Sequence, residues 1–160
     1  MNAFGINLLL AVAWMALTGA TSLTGLLVGF VIGFGVLWLV RPLTGEQGYF
    51  WRVFAWGRLV VMFLYELVVS SLAVAWDIVS PRSRASPQII EVPLDVKTDA
   101  GILLVTNLIS LTPGTLSLDV SPDRKTLAVH AMFVDDPAEL RAELKGGMER
   151  WVIDAVEGGE

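Results

Sequence analysis

The two halves of this chain follow different rules of hydrophobic patterning. No charged residue occurs from Ala3 to Val40, a run nearly twice the roughly 20 residues that a helix needs to cross a hydrocarbon core about 30 Å thick. Thr18, Gly19, Ala20, Thr21 and Ser22 interrupt it near the middle. The pattern therefore predicts two short spans, about 3–18 and 23–40, joined by a tight turn. One tilted span with an apolar overhang is the alternative. Arg41 and Pro42 close the run, Gly45, Glu46, Gln47 and Gly48 read as a polar loop, and the next apolar run predicts a third span over 53–79.

Beyond Ser80 the periods shorten. Residues 81–87 read as a polar linker, and Gln88 to Leu94 alternate, with Ile90, Val92 and Leu94 on one face of a strand that Pro93 marks as an edge or an end. Thr98 is placed to cap a helix carrying Asp99 in its first turn. That helix, 101–111, is apolar except at Thr106, Asn107 and Ser110. It is too short to span and reads as buried between a sheet and the bilayer surface or a partner. Thr112, Pro113, Gly114 and Thr115 have the chemistry of a reversing turn. Leu116, Leu118 and Val120 then alternate with Ser117, Asp119 and Ser121, which predicts a strand. A loop at Ser121–Arg124 and a return strand to Ala131 follow. Asp136 and Pro137 open a last helix with Leu140, Leu144, Met148, Trp151 and Ala155 on one stripe. The expected architecture is an all-α transmembrane part, 1–80, and a small α+β domain, 88–160, ordered β-α-β-β-α as a truncated ferredoxin-like arrangement. About 70 residues is a small core, and docking onto a neighbour would relieve the deficit.

Composition sharpens this division. Hydrophobic residues make up 54% of the chain, mean hydropathy is +0.65 and there are six tryptophans, more than a soluble domain of this size needs. Residues 1–80 balance three basic groups (Arg41, Arg52, Arg58) against three acidic ones (Glu46, Glu66, Asp77), so the net charge of −5 belongs to the second half. An acidic domain without clustered Lys or Arg has no electrostatic basis for binding nucleic acid. The absence of cysteine removes disulfides and thiolate chemistry. Residues 1–10 lack the basic start of a signal peptide, so the N-terminal segment is expected to be retained.

Candidate sites are few. Gly25, Gly29 and Gly33 lie four apart, a small-residue stripe on which the first span or another chain can pack closely. Trp14, Trp38, Trp51, Trp56 and Trp76 fall mostly near span ends as interfacial anchors. Glu66 is the one ionisable residue deep in an apolar run. It reads either as part of a proton or cation path or as a neutral acid bonded to a neighbouring helix. Glu66 with Ser70 and Ser71 is too short a polar chain to carry ions across a bilayer. His130 is the only histidine, a surface or sheet-edge residue with no ligand-spaced companion, so neither metal nor cofactor is expected. Ser117, Asp119 and His130 could meet across the hairpin, but no oxyanion hole or pocket accompanies them, and no enzyme is expected. Arg41 and Arg52 before the third apolar run, with Arg58 near its start, and Arg82 and Arg84 after it leave the orientation undecided.

The run NLISLTPGTLSLDVSPDRKTLAVHAM, Asn107 to Met132, followed by Val134 and Asp135, resembles the E component of Mrp-type (Mnh, Pha) multisubunit Na+/H+ antiporters. The LTPGT turn at Leu111–Thr115, the LDVS strand at Leu118–Ser121 and the VHAM ending at Val129–Met132 carry the likeness; Phe133 departs from it where such proteins often have an acidic residue. The resemblance implies an accessory, assembly-supporting subunit without its own principal ion path, in a complex with A-, B-, C-, D-, F- and G-type subunits. It implies a multi-pass protein of the bacterial cell membrane, three spans and a cytoplasmic C-terminal domain. On that view Thr112, Pro113, Gly114 and Thr115 are structural and assembly determinants. The alternative is a stand-alone membrane-anchored binding module that recruits a soluble partner.

Overall fold

The structure, a computed structural model, describes residues 3–44, 48–81 and 85–158. The expected loop residues Gly45, Glu46 and Gln47 and the linker arginines Arg82 and Arg84 lie outside them. Five helices and three strands are built, with α1 at Ala3–Thr18, α2 at Leu23–Thr44, α3 at Gly48–Val79, β1 at Gln88–Pro93, α4 at Asp99–Leu111, β2 at Thr115–Val120, β3 at Thr126–Ala131 and α5 at Pro137–Leu144. From Leu144 the last helix continues through a wide π turn at Lys145–Glu149, a regular turn at Arg150–Val152 and a second π turn at Ile153–Glu157. Two helices, α2 and α3, are long and apolar enough to cross a membrane, and α1 is shorter.

The chain divides into two compact units, residues 1–51 and 52–160. That division falls near the beginning of α3, where the sequence suggests a boundary at residue 80, and most of the third apolar helix falls in the second unit. α2 also runs past Arg41 and Pro42 to Thr44. Pro42 lies in its last turn, where the missing N–H removes one backbone bond and the ring crowds the carbonyl four residues before it.

In the first unit α1 and α2 form a hairpin. A Cβ on Gly29 would meet the Ala11 backbone, 2.9 Å from its oxygen and 3.0 Å from its Cα, and one on Gly33 would strike the Asn7 side-chain oxygen. Within this unit Gly29 and Gly33 therefore pack on α1, and Gly25 lies against Ala20 of the connecting turn. Phe34, Tyr49 and Phe50 form a ring cluster at centroid spacings of 5.2–5.8 Å, within the range of favourable aromatic pairs.

In the second unit the strand order is β1-β3-β2 with every neighbouring pair antiparallel. The α4 crossover therefore joins two parallel strands, β1 and β2, that are separated by β3. Ile90, Val92, Leu127 and Val129 face inward against Val105 and Ile109 of α4 and Val152 of the last helix. β1 is an edge strand ending at Pro93, as its sequence predicts. β2 departs from its pattern, because a register shift between Ser117 and Asp119 makes Leu118 an extra, bulged residue. Leu116 and Leu118 are exposed, and Val120 lies against the core. The same register corrects the edge reading of His130. It lies on the central strand, opposite Ile89 on one side and Leu116 on the other.

α3 completes this core. Ala55 and Leu59 are buried in the same cluster as Val152, Met148 and Ala155, with Phe63 packed against it. Further along, Glu66, Leu67, Ser70 and Val74 are half-buried and Asp77 is buried. Spacings of three and four keep this stripe on one face of α3. The opposite face exposes Val61, Leu64, Tyr65, Val68 and Leu72.

Candidate functional site: a cleft between the third helix and the LTPGT turn

The two features that the sequence singles out in the second unit, Glu66 and Thr112–Thr115, line one cleft of about 140 Å³. Its other walls are Ser70, Phe133, Leu140, Glu143, Leu144, Gly147, Met148 and Trp151. α3 supplies Glu66, α5 supplies Glu143, and the first π turn passes Gly147 and Met148 beneath them.

Local chemistry fixes the turn. Thr112 ends α4 in an extended conformation, and its N–H donates to the Ile109 carbonyl at 3.2 Å. Its hydroxyl donates to the Leu108 carbonyl at 2.9 Å, and the Thr115 hydroxyl donates to the Ile109 carbonyl at 2.6 Å. Those side chains satisfy helix-end carbonyls that would otherwise be orphaned. The Thr115 N–H closes the turn on the Thr112 carbonyl at 3.2 Å, with Gly114 at φ 91°. Pro then positive-φ Gly at the two central positions is a type II turn. The Gly114 carbonyl accepts from the Met132 N–H at 2.7 Å, which ties the turn to the end of β3.

The cleft is acidic and aromatic, with no basic residue among its lining residues. Its two carboxylates favour a cationic guest over an anionic one. Among the described residues no group donates a hydrogen bond to the Glu66 carboxylate. Ser70 donates to the Glu66 carbonyl at 2.6 Å, and Ser71 donates to the Leu67 carbonyl at 2.5 Å. Both hydroxyl donors are committed to the helix's own backbone. No group of three or more metal-ligating residues occurs among the described residues. Ser117 opposes Val129 on the inner face of the sheet, whereas His130 lies on the outer face, so the serine and histidine of the tempting triad never meet.

Two clusters escaped sequence reasoning. The buried Glu149 carboxylate accepts the N–H groups of Asp95 at 2.6 Å and Val96 at 3.1 Å, and Glu157 accepts those of Lys97 at 2.8 Å and Thr98 at 2.7 Å. Together they hold the β1–α4 connection by its backbone. Desolvation pushes the Glu157 carboxyl up, but the Thr98 and Lys97 N–H groups, the Thr98 side chain and the Lys97 charge outweigh it and leave the pKa below the usual carboxylate value. In the same stretch Asp154 meets Arg58 of α3 at 3.7 Å and Arg150 at 3.2 Å. The available signal was the regular placing of Glu149 and Glu157 on a helix after a loop short of acceptors. The second cluster is in the first unit, where fully buried Asn7 donates to the Tyr49 hydroxyl at 2.7 Å while its side-chain oxygen has no partner among the described residues. An amide in an otherwise apolar helix was its only mark.

The profile of a family described as "Na+/H+ ion antiporter subunit" matches residues 7–155. The E-type Na+/H+ antiporter subunit of Alkalihalophilus pseudofirmus is 32% identical over 151 residues, covering 94% of this chain and 96% of the relative. The E-type subunit of Bacillus subtilis is 30% identical over 145 residues, covering 91% and 92%. Among solved structures, a chain of the Mrp complex from Dietzia sp. DQ12-45-1b has a TM-score of 0.50 at 25% identity, over 62% of this chain and 94% of that one. A chain of the membrane-bound sulfane sulfur reductase, an archaeal respiratory membrane complex, has a TM-score of 0.56 at 20% identity, over 98% and 99%, a likeness of fold.

Proposed function

The chain belongs to the Na+/H+ ion antiporter subunit family, and from that premise we propose that it is an accessory, assembly-supporting E-type subunit of a multisubunit Na+/H+ antiporter of the cell membrane, without a principal ion path of its own. The observation that carries this reading is that no hydroxyl relay leads on from Glu66. A translocation path needs successive polar groups, and the two hydroxyls nearest to it along the helix donate to backbone carbonyls instead. The partners on this reading are the antiporter's other subunits and the lipid around them. The β-α-β-β-α domain is the truncated ferredoxin-like module of the sequence reading, and it faces the cytoplasm.

The cleft and its turn form the surface that the second unit offers to a neighbour. Within the first unit Gly29 and Gly33 of the glycine stripe are already taken up by α1. Two variants test the roles separately in the intact complex. Glu66→Gln removes the charge and keeps the shape, so the expected result is unchanged antiport with unchanged assembly. Loss of antiport in a fully assembled complex would overturn the accessory reading. Pro113→Ala should reduce co-purification of the other subunits in mild detergent. A wild-type chain that purifies alone and folded, with antiport intact in its absence, would defeat the subunit reading.

A further inference from the structure

The domain-facing stripe of α3 runs from Ala55 to Asp77, roughly 33 Å of helix at about 1.5 Å per residue. That is the whole thickness of a hydrocarbon core, about 30 Å. A helix cannot both cross the bilayer over this length and serve as the seat of a water-facing domain over the same length. Crossing would carry into lipid the Asp154 carboxylate paired with Arg58, and Glu143 in the cleft with Glu66. It would also carry in Asp135, which lines a second cleft with Asp77 and Phe133. Each charge at the bilayer centre costs about 2.5–3.5 kcal/mol even on the lenient insertion scale. The irregular backbone of the Thr112–Thr115 turn would enter as well, and non-helical backbone is not tolerated against lipid.

We infer that α3 lies along the membrane surface instead of across it, with the domain on its inner face and its outer face in the boundary between headgroups and acyl chains. The outer face is suited to lipid. Val61, Leu64, Val68 and Leu72 form an exposed apolar band on it. The charge pattern agrees independently. With α1 and α2 as the only crossings, Arg41, Arg52, Arg58, Arg82 and Arg84 fall on one side and the uncharged turn Thr18–Ser22 on the other. That is the asymmetry the positive-inside rule describes, and it removes the tie that a third span leaves. The apolar length of α3 follows from its two contacts, one with the domain core and one with lipid. Only the name of the side, cytoplasmic, rests on the function proposed above; the flat orientation does not.

The absence of native cysteine allows a clean test in the assembled complex. Gly48→Cys, where an added Cβ meets nothing within 4 Å, reports the first residue of α3, and Ala142→Cys, on an exposed position of α5, reports the domain. An impermeant thiol reagent applied to sealed vesicles of known orientation should label both from the same side. Labelling from opposite sides would overturn the inference. Labelling of both from the outside would leave the flat helix standing and defeat the cytoplasmic placement. Depth gives the second reading: Val61→Cys, Leu64→Cys, Val68→Cys and Leu72→Cys, carrying a fluorophore in phosphatidylcholine/phosphatidylglycerol vesicles, are quenched by nitroxide lipids. The expected result is strong and equal quenching by the shallow label at all four. A maximum for the deep label at the middle positions, or no quenching by either label, would refute the lipid-surface orientation.

Discussion

Replacing Glu149 removes a buried acceptor whose Oε1 atom alone takes two backbone N–H groups, those of Asp95 and Val96. A hydrogen bond to a charged group contributes about 1.5–3 kcal/mol net, and a buried donor left without a partner costs about 1–3 kcal/mol. Two such losses are offset by recovering the hydration the carboxylate gave up on burial. The near contact of its other oxygen with Lys145, 4.0 Å away, adds little, since Lys145 also binds Asp95 at 2.7 Å. The expected destabilisation for Glu149→Ala is therefore about 3 kcal/mol. Glu149→Gln keeps a neutral oxygen where both bonds are made and loses only the charge assistance, so about 1 kcal/mol is expected. Thermal unfolding of the full-length chain in mild detergent, followed by near-UV circular dichroism, should show a lowered Tm in the order Ala below Gln below wild type. Hydrogen exchange adds a local readout: the Asp95 and Val96 amides should lose protection first. An Ala variant within about 0.5 kcal/mol of wild type, the ordinary surface range, or a Gln variant equal to the Ala one, would refute this account of the clamp.

Three further outcomes follow from other parts of the structure. Gly29→Ala should wedge α1 and α2 apart and lower the amount of the protein in membranes, by about 1–3 kcal/mol of strain, whereas Gly35→Ala, where an added Cβ meets nothing within 4 Å, should be neutral; immunoblotting measures both. Gly114→Ala should cost about 1–2 kcal/mol, because the residue sits at φ 91° and its Cβ would lie 3.4 Å from the Phe133 ring, and it should lower the Tm without altering antiport by complexes that do assemble. Glu157, with a folded pKa below its ordinary 4.5, stabilises the fold fully above that ordinary value. The contribution is lost as pH falls through the folded value. The Tm difference between wild type and Glu157→Gln should therefore shrink on acidification below about pH 4.5, and a difference that stays constant would refute it.

Local chemistry is what the sequence determined alone. Thr98 and Asp136 cap the helices they were expected to cap, the Pro113–Gly114 pair makes the turn, and β1 ends at its proline. Each rests on residues within a few positions of one another, where backbone geometry and a single side chain decide. The family likeness was legible for the same reason, since LTPGT, LDVS and VHAM fall in this locally determined stretch. The structure decided whatever depends on which surfaces meet. On β2, Ser117 takes the inner place opposite Val129, which leaves Leu116 outside, and a bulge at Leu118 breaks the alternation, neither of which hydrophobic patterning can register. Glu66 and the turn are some 45 residues apart in sequence yet line one cleft. Glu149 reads as an ordinary exposed helix acid until the loop that needs it is in place. α3 shows the division most fully. Its apolar length says that it must be covered, but hydrophobicity has no direction, and only packing shows that one face meets the domain core and the other stays exposed.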